Sequence, residues 1–214
     1  MSRPLIITDC DEVLLHMVVP FRDWLDEAHD VHFSLENVGF VDALRRKACG
    51  TVLEQGEVWT LLRAFFETEM HRQMPIFGAL EALDRLSAIA DIVVLTNIHE
   101  EAHERRIDQL RALGLHHPVH WNQGGKGEPA QRLIDAYGAT RVVFIDDLAQ
   151  HHESLARKAP DAWRLHMVGE PLLAPYVEPA SMAHARIDSW AEAEQWIRAR
   201  LAGESDLSTL GVLG

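Results

Sequence analysis

Short apolar runs that end in polar residues alternate along this chain with stretches of helical period. Leu5-Ile6-Ile7-Thr8 is the first such run and leads into Asp9. Its unbroken hydrophobicity predicts a strand covered on both faces, since a strand with one wet face would alternate. From about Pro20 to Met74 the period turns helical, with Trp59, Leu62, Phe66 and Met70 on one face and Gly50 as a stop before it. Gly78 to Ala90 carries Leu80, Leu83 and Leu86 at helical spacing, and Ile92-Val93-Val94-Leu95 then forms a second strand-like run ending in Thr96-Asn97. A helix from His99 to Leu113, stopped by Gly114, precedes Pro118-Val119-His120-Trp121. A Gly-rich loop, a helix from Pro129 to Tyr137 and the run Val142-Val143-Phe144-Ile145 follow. A weaker run at Arg164 to Val168 and an amphipathic helix from Trp190 to Leu201 close the alternation, and the Gly/Ser-containing tail at 203–214 is expected to fray.

Strands alternating with helices predict an α/β fold with a parallel, Rossmann-like sheet and right-handed crossovers. Ligands of such sheets bind at the carboxyl ends of the strands, so the polar residues that follow each run are the candidates for chemistry. They are Asp9 and Asp11, Thr96 and Asn97, Asp146 and Asp147, with Lys126 opening a helix between.

The length of 214 residues allows one substantial core and a smaller appended module. A formal net charge of -13 opposes nucleic-acid binding, because phosphate backbones are held largely by Lys and Arg. Two cysteines, Cys10 and Cys49, make no disulfide framework, and the apolar run at Leu5 to Ile7 is too short for a signal peptide, so a cytoplasmic location is expected. No apolar stretch approaches the roughly 18 to 20 residues that cross a bilayer, so no membrane partner is expected.

Four carboxylates aimed at one cleft repel one another unless a cation sits among them. Oxygen-only ligands suit magnesium, which would also draw a phosphate into an acidic protein. Phosphoryl transfer needs an in-line nucleophile, neutralised equatorial oxygens and a proton for the leaving group. Asp9 fits the nucleophile, and Asp11, two residues on, fits the general acid/base. The Thr96 hydroxyl, the Asn97 backbone N–H and the Lys126 ammonium fit the phosphoryl oxygens. Each has a blander use: Thr96 and Asn97 would also cap a helix near His99, and a lone Lys126 would also serve as a solvated charge.

Together, Asp9-Cys10-Asp11-Glu12-Val13, Thr96-Asn97, Lys126 and Asp146-Asp147 resemble the four ordered motifs of the haloacid dehalogenase superfamily. The resemblance covers about residues 4 to 155. It implies a nucleophile at Asp9, an acid/base at Asp11, and magnesium held by Asp9, the backbone carbonyl of Asp11 and Asp147, with Asp146 in support. It also implies five parallel strands in the order third, second, first, fourth, fifth. Residues 1–15 and 76–202 would form the core, and residues 16–75, inserted after the first strand, a small helical cap that selects a small phosphorylated metabolite. Glu12 stands where many members carry Gly, and His151 stands where a further Asp or Asn is common. The second Asp favours the phosphatase branch over the dehalogenases.

Two other motifs point elsewhere. Gly125 to Ala130 fits the dinucleotide fingerprint G-x-G-x-x-A with Asp146 about 20 residues on, and His99-Glu100-Glu101-Ala102-His103 fits the zinc motif H-E-x-x-H. A third alternative is a binding protein that keeps the fold without turnover.

Overall fold

A computed structural model describes residues 2–35 and 42–202. The tail expected to fray lies outside the described residues, as does part of the expected cap at 36–41. In the main sheet, β1 (Leu5–Thr8), β4 (Asp91–Asn97), β5 (Val119–Asn122), β6 (Val142–Asp146), β7 (Trp163–His166) and β8 (Ala185–Arg186) lie in the order β5-β4-β1-β6-β7-β8. All neighbouring pairs are parallel. The five expected strands take the expected order, and the two-residue β8 adds a sixth at the edge. Its brevity leaves no apolar run to read.

β1 is central, with Leu5, Ile6 and Ile7 wholly buried between helices on both sides, which is why its sequence does not alternate. Ile6 joins one apolar cluster with α3 (Ala79–Ser87) and α7 (Trp190–Leu201). Leu5 and Ile7 join the opposite cluster with α5 (Gly127–Tyr137) and α6 (Ala149–Lys158). The helix α6 has no apolar period in the sequence, because His151 and His152 hold two of its buried positions beside Leu155. The helix expected from His99 begins instead as a 3-10 turn, with α4 running from His103 to Ala112.

The stretch between β1 and α3 is not wholly helical. It holds α1 (Val18–Ala28), an antiparallel pair formed by β2 (Val31–Phe33) and β3 (Leu44–Arg46), and α2 (Gln55–Thr68). Three-residue strands are too short to reveal their period against two long helices. The apolar face of α2 is also shifted by one position: Val58, Phe65 and Phe66 are buried while Trp59 is exposed, and Met70 lies beyond the helix in a 3-10 turn. These elements share an apolar cluster of their own, to which the rest of the chain contributes Ile98, Ala102 and Leu173.

The chain leaves and re-enters the main body at one point. His16 N–H donates to Met74 O, Ile76 N–H donates to Leu14 O, and Leu15 bridges Pro75. Two antiparallel crossings side by side thus join the 16–75 stretch to the sheet, directly after Asp11.

Candidate active site

The carboxyl ends of β1, β4 and β6 bring the sequence-derived candidates together. The ladder between β1 and β6 runs one residue past β1, where Asp9 N–H donates to Ile145 O, and this fixes Asp9 beside the end of β6. Lys126 follows the loop after β5 and immediately precedes α5, and its side chain is wholly buried. Its ammonium lies 2.8 Å from Asp9 Oδ1 and 2.7 Å from Asp146 Oδ2. Cys10 N–H also donates to Asp9 Oδ1, at 2.7 Å, and Leu148 N–H donates to Asp146 Oδ1 at 2.9 Å.

Burial works against the charge of Lys126, but Asp146 and Asp9 outweigh it and hold the ammonium above its ordinary value. Burial raises the Asp9 carboxyl, with Lys126 pulling the other way. Asp147 is pushed well above the usual carboxylate range by burial and then by the charges of Asp146 and Asp9. Three carboxyl groups therefore face one ammonium, and the surplus acid is Asp147, which has no ion-pair partner of its own among the described residues.

That surplus decides whether a cation fits. Asp9, Asp146 and Asp147 offer ligand oxygens that all lie within 4.8 Å of one another. Among the described residues no other group of three His, Cys, Asp or Glu side chains is so placed. A donor set of three hard oxygens with uncompensated charge suits a hard divalent ion of the magnesium type.

Thr96, one residue from the end of β4, is wholly buried, and its Oγ1 has no hydrogen-bond partner among the described residues. A buried hydroxyl without a partner is costly, and a bound oxyanion would relieve that cost. The Asn97 side chain turns away toward the loop after β5, donating to Gly124 O at 2.8 Å and accepting from Asn122 Nδ2 at 2.9 Å. The sequence-based expectation concerned its backbone N–H, which these side-chain bonds leave unaffected.

Asp11 is held by two side chains that sequence reasoning missed. Arg106 Nη2 donates to Asp11 Oδ1 at 2.9 Å and to Oδ2 at 3.1 Å, and Gln73 Nε2 donates to Oδ1 at 2.6 Å. Burial raises the Asp11 carboxyl, against the pull of Arg106. The signal for Arg106 was its place on the buried stripe of Ala102 and Leu110, at spacings of four. Gln73 gave no such signal, since it lies on the return crossing outside any helix.

The loop that carries these groups is clamped by the rest of the fold. Leu14 N–H and Leu15 N–H both donate to Cys10 O, Gly169 N–H donates to Glu12 O, and Trp190 Nε1 donates to Val13 O. Glu12 adopts a left-handed backbone with φ 62°, which explains why glycine suits this position in proteins with a similar loop. In return its buried carboxylate accepts from the Met17 and Val18 N–H groups at the start of α1. Behind the site, His152 Nε2 bonds Asp146 O and His166 Nε2 bonds Asp147 O, so two imidazoles carry the turn of the paired acids.

The two rival motifs have other uses in the fold. Gly127 lets α5 approach α6 so closely that a Cβ there would stand 2.2 Å from Ser154 O, and Asp146 is tied to Lys126 instead of facing a ribose site. In the H-E-x-x-H stretch, the 3-10 turn separates His99 from His103, and His103 Nε2 is bonded to Val119 O.

No described sequence family and no curated protein matches the chain at the level of sequence. Its fold, however, is that of the haloacid dehalogenase-like hydrolases. A hydrolase of that family from Streptococcus pneumoniae superposes with a TM-score of 0.63 at 11% identity, over 90% of this chain and 97% of the other. A structure described as a predicted phosphoglycolate phosphatase, from Haemophilus somnus, gives 0.61 at 16% identity, over 90% and 96%. Phosphoserine phosphatase, captured as an analogue of its phospho-aspartyl intermediate, gives 0.56 at 15% identity, over 92% and 99%.

Proposed function

We propose that this protein hydrolyses a small phosphate monoester through a phospho-aspartyl intermediate on Asp9. The observation that carries this reading is the buried Lys126 ammonium bridging Asp9 and Asp146, together with the unpartnered Thr96 hydroxyl near the carboxyl end of β4. A cation and a free donor at the ends of adjacent strands form a receptor for an oxyanion with a carboxylate nucleophile already in it. The phospho-aspartyl analogue of phosphoserine phosphatase supports the same chemistry by likeness of fold.

In the first step an Asp9 oxygen attacks phosphorus, a new O–P bond forms, and the bond to the leaving oxygen breaks. The electron pair stays with the leaving oxygen, which takes a proton from Asp11. Lys126, the Thr96 hydroxyl and the Asn97 N–H hold the phosphoryl oxygens meanwhile. In the second step Asp11 takes a proton from water, the water oxygen bonds to phosphorus, and Asp9 is released as carboxylate with inorganic phosphate. Magnesium, held by Asp9, Asp146, Asp147 and the backbone carbonyl of Asp11, would supply positive charge for the equatorial oxygens.

Residues 16–75 act in this reading as a cap whose double crossing beside Asp11 lets it open and close over the site. Its elements supply the surfaces that meet the leaving group, so substrate choice belongs to the cap.

Purified protein with magnesium is expected to release phosphate from an aryl phosphate. Asp9→Asn is expected to lower that rate by roughly three orders of magnitude or more, as loss of a covalent nucleophile does. Equal turnover by the variant, measured as phosphate released, would overturn the mechanism. No helix among the described residues is long and apolar enough to cross a membrane.

A further inference from the structure

Arg106 is wholly buried, carries a permanent charge, and has no place in the chemistry described above. Burying a cation carries a large desolvation cost, and packing alone would be served as well by an apolar side chain of similar volume. Its surroundings show where the charge is directed. Asp11 is the one carboxylate it touches among the described residues, one nitrogen reaching both oxygens, while Nη1 donates to Cys10 Sγ at 3.0 Å. On its other side the guanidinium stands 5.5 Å from the centre of the Phe66 ring in α2. The side chain is therefore fixed at both ends, by the loop that bears Asp11 and by the 16–75 stretch.

Gln73 completes the arrangement from a different element. It donates to Asp11 Oδ1 and, at 3.3 Å, to His16 O, so it ties the outgoing crossing to the same carboxylate. Two donors converge on Oδ1, whereas Oδ2 has only the longer Arg106 contact. An unanchored aspartate on a loop samples several rotamers, and ordering it costs entropy at each turnover.

We propose that Arg106, assisted by Gln73, is a positioning residue that orients Asp11 so that its carboxyl meets the leaving-group oxygen. The inference rests on the reading of Asp9 and Asp11 given above. The step it governs is the first one: Asp11 gives its proton to the leaving oxygen as the Asp9–phosphorus bond forms and the phosphorus–oxygen bond breaks. Orientation of Asp11 then matters where the leaving group needs that proton and little where it departs as a stable anion.

The experiment compares kcat/KM, which reports steps up to phospho-enzyme formation, on a nitrophenyl phosphate and on a simple alkyl phosphate. Arg106→Met removes the charge at similar volume, Arg106→Lys keeps the charge without the fork, and Gln73→Met removes the second donor. For Arg106→Met the alkyl ester is expected to lose about 100-fold and the nitrophenyl ester less than about 5-fold, on the scale that general acids contribute. Arg106→Lys should recover part of the alkyl loss, and Gln73→Met should give the same selectivity more weakly. Gln73→Met carries the test alone if Arg106→Met does not fold. Equal losses on both esters, or none on either, would overturn the inference while wild-type turnover of both esters upholds the phosphatase reading. Wild-type protein inactive on both would instead remove the phosphatase reading, and the inference with it.

Discussion

Asp147 carries the strain of the site at the level of single residues. Lys126 spends its charge on Asp9 and Asp146, and Asp147 is left desolvated beside both. Replacing it by Asn removes a like charge and one hard oxygen ligand together. In the absence of divalent ions Asp147→Asn is therefore expected to be more stable than wild type. Magnesium at 100 times its Kd should stabilise wild type by about 2.7 kcal/mol and the variant by far less. Denaturant midpoints with EDTA and with magnesium measure both effects, and an undiminished magnesium increment in the variant would remove the cation from this position. Glu12 illustrates the opposite balance. Its left-handed backbone costs about 1 kcal/mol, offset by two N–H bonds at the start of α1 that its carboxyl oxygen accepts. Burial nonetheless pushes its carboxyl up to about 7, opposed by those two bonds.

At the scale of elements, close approach of α5 and α6 sets where Lys126 lies. Gly127 is the residue that permits it: its N–H donates to Ser154 Oγ at 2.9 Å, and a Cβ would stand 2.2 Å from Ser154 O. Gly127→Ala must push the helices apart, since the clashing atom is backbone. Overpacking of this kind costs about 1 to 3 kcal/mol, and a displacement near 1 Å of the adjacent lysine costs catalysis more steeply. The variant is thus expected to unfold at lower denaturant and to lose activity beyond its loss of stability; unchanged values in both assays would contradict the packing argument. The second glycine of an apparent dinucleotide fingerprint is in this way accounted for by helix contact. The apolar period of α6 is masked in the sequence for a related reason. Histidines at 151 and 152 fill positions that the pattern reserves for apolar residues, and His152 packs edge-on against the Phe144 and His166 rings.

Those histidines give the whole molecule an acid-sensitive interior. Burial lowers His152 to about 3, below its ordinary 6.5. Between pH 6.5 and 3 the unfolded chain binds a proton that the folded chain refuses. Its contribution to stability is therefore retained above pH 6.5 and falls on acidification, by a few kcal/mol at most. His152→Gln keeps a donor for Asp146 O and cannot titrate. The difference in stability between wild type and His152→Gln, followed by urea denaturation, should shift against wild type as the pH drops from 6.5 to 4. A constant difference would mean that His152 titrates normally. Comparing the two proteins at each pH cancels the carboxyls, which titrate in the same range.

The sequence by itself determined the parallel sheet and the chemical types at the strand ends, because burial on both faces leaves an unbroken apolar run that stops where the cleft begins; the order of the strands came from the family resemblance and not from that pattern. Asp9, Thr96, Lys126, Asp146 and Asp147 are legible for that reason. Their partners are not, because contacts across 95 residues, as between Arg106 and Asp11, leave no periodic trace near either one. Tertiary structure alone decided that Asn97 turns its side chain away, that a strand pair stands within the expected helical stretch, and that Arg106 and Gln73 converge on Asp11. Each outcome depends on which side chains meet when distant elements pack, and local hydrophobic period carries no information about that meeting.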